Sequence, residues 1–202
     1  MTGPTKGWTV HQGRAAALPI ENIDTDQIIP ARFMSAPRAS GYGRFLLHDL
    51  RRDGDALRPD FPLNHTAAQG ASILITRRNF GGGSSREAAV YALVDAGFRV
   101  VIAPSFGDIF AGNAVNNGLL PARVSEAQAE ALLASCPATL TVDLDSLSIV
   151  GADSTPFALD PVWRQKLING WDDIDLTASH GAAITAFAAR RRRAAPWVWP
   201  VA

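Results

Sequence analysis

The stretch Ala71-Ser72-Ile73-Leu74-Ile75-Thr76-Arg77-Arg78-Asn79-Phe80-Gly81-Gly82-Gly83-Ser84-Ser85-Arg86-Glu87 decides how this chain folds. Ala71 to Thr76 is a short apolar run of strand length. Three consecutive glycines, Gly81 to Gly83, then let the backbone turn sharply and let another group approach the main chain closely. Ser84 fits a helix N-cap, with Glu87 as its reciprocal capping-box partner. The helical pattern runs from Ser84 to about Ala96, where Gly97 stops it.

The alternation continues downstream. Arg99 to Ala103 reads as a second buried strand ended by Pro104, Ser105 to about Val115 as a helix, and Leu119 to Val124 as a short strand. Ser125-Glu126-Ala127-Gln128 opens another helix with a capping-box pattern that runs to roughly Ser135. Thr139–Leu144 and Leu147–Val150 look like a hairpin, and Pro161–Asn169 and Ala178–Arg192 look helical.

Upstream, Trp8 to Leu18 reads as a strand and Glu21 to Asp26 as an acidic turn. Gln27 to Pro30 reads as a short extended piece, because the residue before proline is biased away from helix. Residues 31–64 are irregular, with one short helix expected from Arg44 to Leu50. The sum is an α/β fold with a mixed sheet. Residues 1–202 form a single domain, with an irregular loop at about 31–64 and a basic, Trp- and Pro-containing tail at about 190–202.

Composition narrows the function. The chain has 202 residues, 47% of them hydrophobic and 19% charged, which is globular rather than disordered. Nineteen basic side chains balance nineteen acidic ones, so no global field draws it to nucleic acid or to an anionic membrane. Residues 1–13 lack the apolar stretch of a signal peptide, and no run approaches the ~20 apolar residues of a membrane span, so a cytoplasmic location is expected. A lone cysteine, Cys136, cannot hold an iron–sulfur cluster, which normally takes several thiolates. His11, His48, His65 and His180 lack metal-ligand spacing, so no metal site is expected in this chain. Arg190 to Arg193 reads as cations at a helix C-terminus, and Trp197 and Trp199 mark a contact with another chain.

Chemistry concentrates in the glycine turn. A helix N-terminus presents unpaired N–H groups and the positive end of the dipole, which suits an anion. Arg86 in the first turn opposes that dipole, a placement that makes sense if its guanidinium grips a carboxylate. Nucleotide loops do not fit. Gly83 stands where a phosphate loop needs Lys, and Arg86 where a dinucleotide fingerprint needs its third glycine. On local features alone, a well-capped helix after a flexible turn and a carboxylate pocket centred on a serine both remain open.

Four ordered blocks then carry a resemblance. Asn22-Ile23-Asp24-Thr25-Asp26-Gln27-Ile28-Ile29-Pro30 comes first, then the signature Asn79 to Glu87. Val100-Val101-Ile102-Ala103-Pro104-Ser105-Phe106-Gly107-Asp108-Ile109-Phe110 follows, and Asn113 with Asn116-Asn117-Gly118-Leu119-Leu120-Pro121 completes the set. Together they resemble the small-subunit family of the 3-isopropylmalate dehydratases, related to the last domain of aconitase, over roughly residues 10–187. The resemblance implies a swivelling β/β/α domain. It implies no cofactor in this chain, a large partner subunit bearing a [4Fe-4S] cluster, and a small 2-hydroxy dicarboxylate as substrate, most simply 2- and 3-isopropylmalate in leucine biosynthesis.

By the same resemblance Ser84 removes the proton α to a carboxylate, and Ser85 and Arg86, with Gly83 in the turn, hold substrate. Asp26 lies at the subunit junction near the reacting groups. Arg38 is a candidate carboxylate ligand in the 31–64 loop, or else a solvated surface arginine. Gly82 and Ala88 depart from the family pattern, which has Cys and His there. A paralogous subunit for another di- or tricarboxylate, or a non-catalytic binding module of the same fold, remains an alternative.

Overall fold

The computed structural model describes residues 7–199; residues 1–6, at the start of the N-terminal segment, and 200–202, at the end of the basic tail, lie outside it. In chain order the elements begin with β1 (Val10–Leu18), α1 (Thr25–Ile28), α2 (His48–Arg51), β2 (Arg52–Asp53) and β3 (Ala56–Leu57). The middle holds β4 (Ile73–Thr76), α3 (Glu87–Asp95), β5 (Val100–Ala103), α4 (Asp108–Asn116), β6 (Leu120–Arg123) and α5 (Glu126–Ala134). Then come β7 (Ala138–Asp143), β8 (Ser148–Val150), β9 (Ser154–Pro156), α6 (Pro161–Asn169), α7 (Asp173–Ser179) and α8 (Gly181–Ala194).

Seven strands form one mixed sheet in the order β6-β5-β4-β1-β7-β8-β9. The long first strand joins its two halves. Ala15 to Leu18 pairs in parallel with Ile73 to Thr76, whereas Val10 to Ala15 pairs antiparallel with Asp143 to Ala138. The parallel half, β1 with β4, β5 and β6, is covered on both faces, which is why β4 and β5 read as unbroken apolar runs. Successive residues alternate between the faces. Leu74 and Val101 enter the core that includes Leu18, Phe80 and Leu93, while Ile73, Ile75 and Val100 enter the one with Leu133 and Leu167.

Several elements differ from the sequence expectation. Residues 27–30 are not simply extended: Gln27 and Ile28 close α1. Asp24 caps that turn, accepting from the Gln27 N–H (2.7 Å) while Gln27 Oε1 accepts from the Asp24 N–H (2.9 Å). The reciprocal cap overrides the proline effect everywhere except at Ile29, which is extended. The expected helix at 44–50 is broken by left-handed Leu47 into a 3-10 turn, Gly43–Phe45, and α2. The 178–192 segment divides into α7 and α8 around His180. Strand β9, polar and three residues long, has no signal in the sequence.

At the C-terminal end α8 buries no residue, and Ile184 and Phe187 stay exposed. Arg191 to Arg193 sit in its last turn, where the dipole favours cations. Arg192 stacks over Trp199 at 4.8 Å. Among the described residues, no helix is long and apolar enough to cross a membrane.

Candidate carboxylate-binding turn

Three segments meet beyond the carboxyl ends of β1, β4 and β5. The Gly81 N–H donates to the Ile23 carbonyl (2.7 Å), and the Thr25 N–H donates to the Gly82 carbonyl (3.0 Å). On the other side the Asn79 N–H donates to Ser105 Oγ (2.8 Å), and the Gly107 N–H donates to the Phe80 carbonyl (2.9 Å). Phe80, only 1% exposed, anchors the junction with edge-on contacts to Phe106 and Phe110. Three of the four sequence blocks therefore build one scaffold.

The glycines have separate reasons. Gly81 has φ +73°, and a Cβ there would lie 2.3 Å from the Phe110 ring. Gly83 has φ +85°, and a Cβ there would make only ordinary contact, 3.5 Å from Asp24 Cβ, so the glycine serves the turn rather than the packing. At Gly82 a Cβ would lie 3.1 Å from the Asn79 side chain, so the cysteine usual in the resembled family needs only a small shift. Ala88 packs partly buried against the core, so the missing histidine leaves no hole at the turn.

Ser84 is not the N-cap. Helix α3 starts at Glu87 with Arg86 in the capping position and no side-chain cap bond, so the expected Ser84–Glu87 capping box is absent. The reason is tertiary. The Thr25 hydroxyl, on a residue 1% exposed, donates to the Ser84 carbonyl (2.9 Å), and the Arg86 N–H donates to the same oxygen (2.8 Å). Ser84 and Ser85 thus lie on an exposed ledge pinned from beneath. Thr25 is the residue that sequence reasoning missed; it stands inside the first block but reads as part of a turn.

Arg86 pairs with Asp26 through Nη1 and Oδ1, joining two of the expected site residues. The Arg86 side chain is 21% exposed and that of Asp26 is 54% exposed. Arg38 is not brought to the turn. Both of its terminal nitrogens grip Asp95 (2.6 and 2.9 Å), and its guanidinium lies 4.4 Å from the Tyr91 ring centre. Asp95 ends the helix that Glu87 begins, about 12 Å away along its axis.

Glu87 accepts from Asn117 Nδ2 (2.9 Å). Burial pushes the Tyr91 phenol up from its ordinary value, with the Glu87 carboxylate adding in the same direction. A cavity of about 570 Å3, whose lining includes Ser105, Phe106, Asp108, Arg123 and Trp163, adjoins the scaffold but takes in none of Ser84, Ser85 and Arg86. Among the described residues no group of three or more His, Cys, Asp and Glu side chains is placed to hold a metal ion.

Comparison with known proteins adds to this geometry. The family model described as the aconitase C-terminal domain matches residues 5–127, and that of the C-terminal domain of the 3-isopropylmalate dehydratase small subunit matches residues 173–200. A 3-isopropylmalate dehydratase small subunit of Rhodospirillum centenum is 48% identical over 197 residues, covering 94% of this chain and 97% of the relative. That of Shouchella clausii is 48% identical over 187 residues, covering 90% and 95%. A solved 3-isopropylmalate dehydratase structure from Methanocaldococcus jannaschii superposes with a TM-score of 0.66 at 23% identity. It covers 88% of this chain and 98% of that one, a likeness of fold.

Proposed function

The chain belongs to the 3-isopropylmalate dehydratase small-subunit family, and from that premise we propose that it is the small subunit of a hydro-lyase interconverting 2- and 3-isopropylmalate in leucine biosynthesis. The observation that carries the reading is the ledge itself: a buried scaffold presents Ser84, Ser85 and Arg86 outward, with Asp26 as the guanidinium's partner. An exposed serine is a poor base in water. It becomes an effective one only when another surface closes over it, excludes solvent and leaves nearby donors to stabilise the negative charge. A large partner subunit supplies that surface.

The roles follow from position. Arg86 exchanges part of its contact with Asp26 for a substrate carboxylate, gripped by its planar fork. Ser85 and the backbone at Gly83 complete that pocket. Ser84 Oγ, ionised in the closed site, takes the proton from the carbon α to a carboxylate while the hydroxyl leaves, protonated to water by a second acid of the closed site; rehydration reverses both transfers. Asp26, at the rim, meets the partner near the reacting groups. Arg38 anchors the 31–64 loop through Asp95 rather than holding substrate directly.

A [4Fe-4S] cluster does not fit the residues of this chain, whose single cysteine, Cys136, lines a separate small cavity with Ala15 and His65. The cluster is assigned to the large subunit. Anaerobic co-purification with a candidate large subunit, followed by an absorbance assay for the unsaturated acid, tests the proposal. Activity from either isopropylmalate that requires both chains is the expected result. A stable complex silent on both would overturn the substrate, and no complex would overturn the small-subunit role.

A further inference from the structure

Thr25 holds the glycine turn at two points. Its N–H donates to the Gly82 carbonyl (3.0 Å), and its hydroxyl donates to the Ser84 carbonyl (2.9 Å). The residue is itself fixed. It follows the Asp24 cap, its carbonyl accepts from the Ile29 N–H (3.0 Å), and it is 1% exposed.

In a trans peptide the carbonyl and the next N–H point in opposite directions. With the Gly82 and Ser84 carbonyls turned towards Thr25, the N–H groups of Gly83 and Ser85 are turned away from it. Gly83, Ser84 and Ser85 are exposed, and among the described residues neither N–H has an acceptor in the chain. Two free backbone donors thus stand on the outer side of the turn, one on each side of Ser84. Little else holds them there. Nothing packs closely on Gly83, and Ser84 lies ahead of α3, which starts at Glu87. The second bond to the Ser84 carbonyl comes from the Arg86 N–H (2.8 Å), a three-residue turn within the same exposed segment.

We propose that Thr25 is a positioning residue for the reaction: its buried hydroxyl sets the plane of the Ser84–Ser85 peptide and so aims the Ser85 N–H at the substrate carboxylate. This role rests on the assignment of Ser84, Ser85 and Arg86 to the isopropylmalate site.

The test uses the assembled two-chain enzyme. Thr25→Val keeps the branched shape and removes the donor. It is expected to raise KM for isopropylmalate about tenfold, the effect of one backbone N–H on a carboxylate. Calorimetry with 2-isopropylsuccinate, which lacks the leaving hydroxyl and does not react, should show Kd rising by the same factor. Partial unfolding would lower the number of binding sites without moving Kd. Thr25→Ser keeps the hydroxyl, and its KM and Kd should stay within about twofold of wild type even where the melting temperature falls. Thr25→Ser and Thr25→Ala differ only in the hydroxyl, so that pair carries the same comparison if the valine variant does not assemble.

A crystal structure of Thr25→Val reads the geometry without ligand, with the Ser84 carbonyl expected to leave the direction it has in the wild type. An unchanged KM and Kd, a serine variant as weak as the valine one, or an unmoved Ser84–Ser85 peptide would each overturn the proposal. A wild-type complex that neither turns over the isopropylmalates nor binds 2-isopropylsuccinate would instead strike the substrate assignment. The crystal structure would then still decide whether Thr25 sets the peptide plane.

Discussion

Arg86 and Arg38 are each held by one aspartate, but the two aspartates sit in different surroundings. Asp26 is 54% exposed and gives Arg86 a solvent-facing partner that a ligand can displace. Asp95 is 15% exposed, takes both terminal nitrogens of Arg38 and accepts the Tyr42 N–H (2.6 Å) as well. Arg38 is further flanked by the Tyr91 and Tyr42 rings. An arginine gripped at both nitrogens by a largely buried aspartate is suited to fixing a loop, whereas one paired with an exposed aspartate is suited to binding. The glycine turn is built to present groups and the 31–64 loop to hold them.

The sharpest way to break this contrast is at the turn. Ser84→Ala in the assembled enzyme is expected to lower kcat by about 10²- to 10⁴-fold, the range for removing a positioned acid–base group. Because Ser84 is exposed, the melting temperature of the isolated chain should stay within about 1 °C of wild type. Turnover within a few-fold of wild type would remove Ser84 from the role of base.

Paired lysine substitutions come next. Arg86→Lys keeps the charge but loses the fork, and kcat/KM should fall about 10- to 100-fold with little change in stability. Arg38→Lys should do the reverse, costing about 1–2 kcal/mol of stability and only a few-fold in kcat/KM. Equal catalytic losses at both positions would show that Arg38 reaches the substrate in the assembled enzyme. Asp95→Asn extends the series: it weakens both guanidinium contacts and the Tyr42 bond, and denaturant unfolding should register a loss of about 2 kcal/mol.

The same contrast explains what the sequence disclosed. Strands β4 and β5 and helix α6 were legible because their signals are local: apolar runs bounded by Gly or Pro, and at α6 an Asp160 cap, Pro161 at the first position and Gly170 after the end. The candidate residues of the turn were legible because they are contiguous. The true start of α3 was not, because the group that holds Ser84 is the hydroxyl of Thr25, 59 residues away. Arg38 read two ways for the same reason, since its aspartate partner lies 57 residues on. Asn117 read as part of a motif, with no hint that its amide faces Glu87 from 30 residues downstream.

The smallest expected effect lies on the outside of the loop, at Arg32 and Asp49. Hydrogen bonding from Arg32, with a second contribution from His48, holds the Asp49 carboxyl at about 2 against an ordinary value of 3.8. A depressed carboxylate stabilises the fold above pH 3.8, and that contribution fades as the pH falls towards 2. Both side chains are about half exposed, so solvent screens the pair and side-chain entropy offsets most of the gain. Asp49→Asn should therefore leave the melting temperature at pH 7 within about 1 °C of wild type and slightly flatten its decline between pH 4 and 2. A large loss at pH 7 would mean that the outer ion pair, rather than Arg38 with Asp95, is what fixes the loop. The difference between an arginine that presents and one that holds would then rest on something other than the burial of its aspartate.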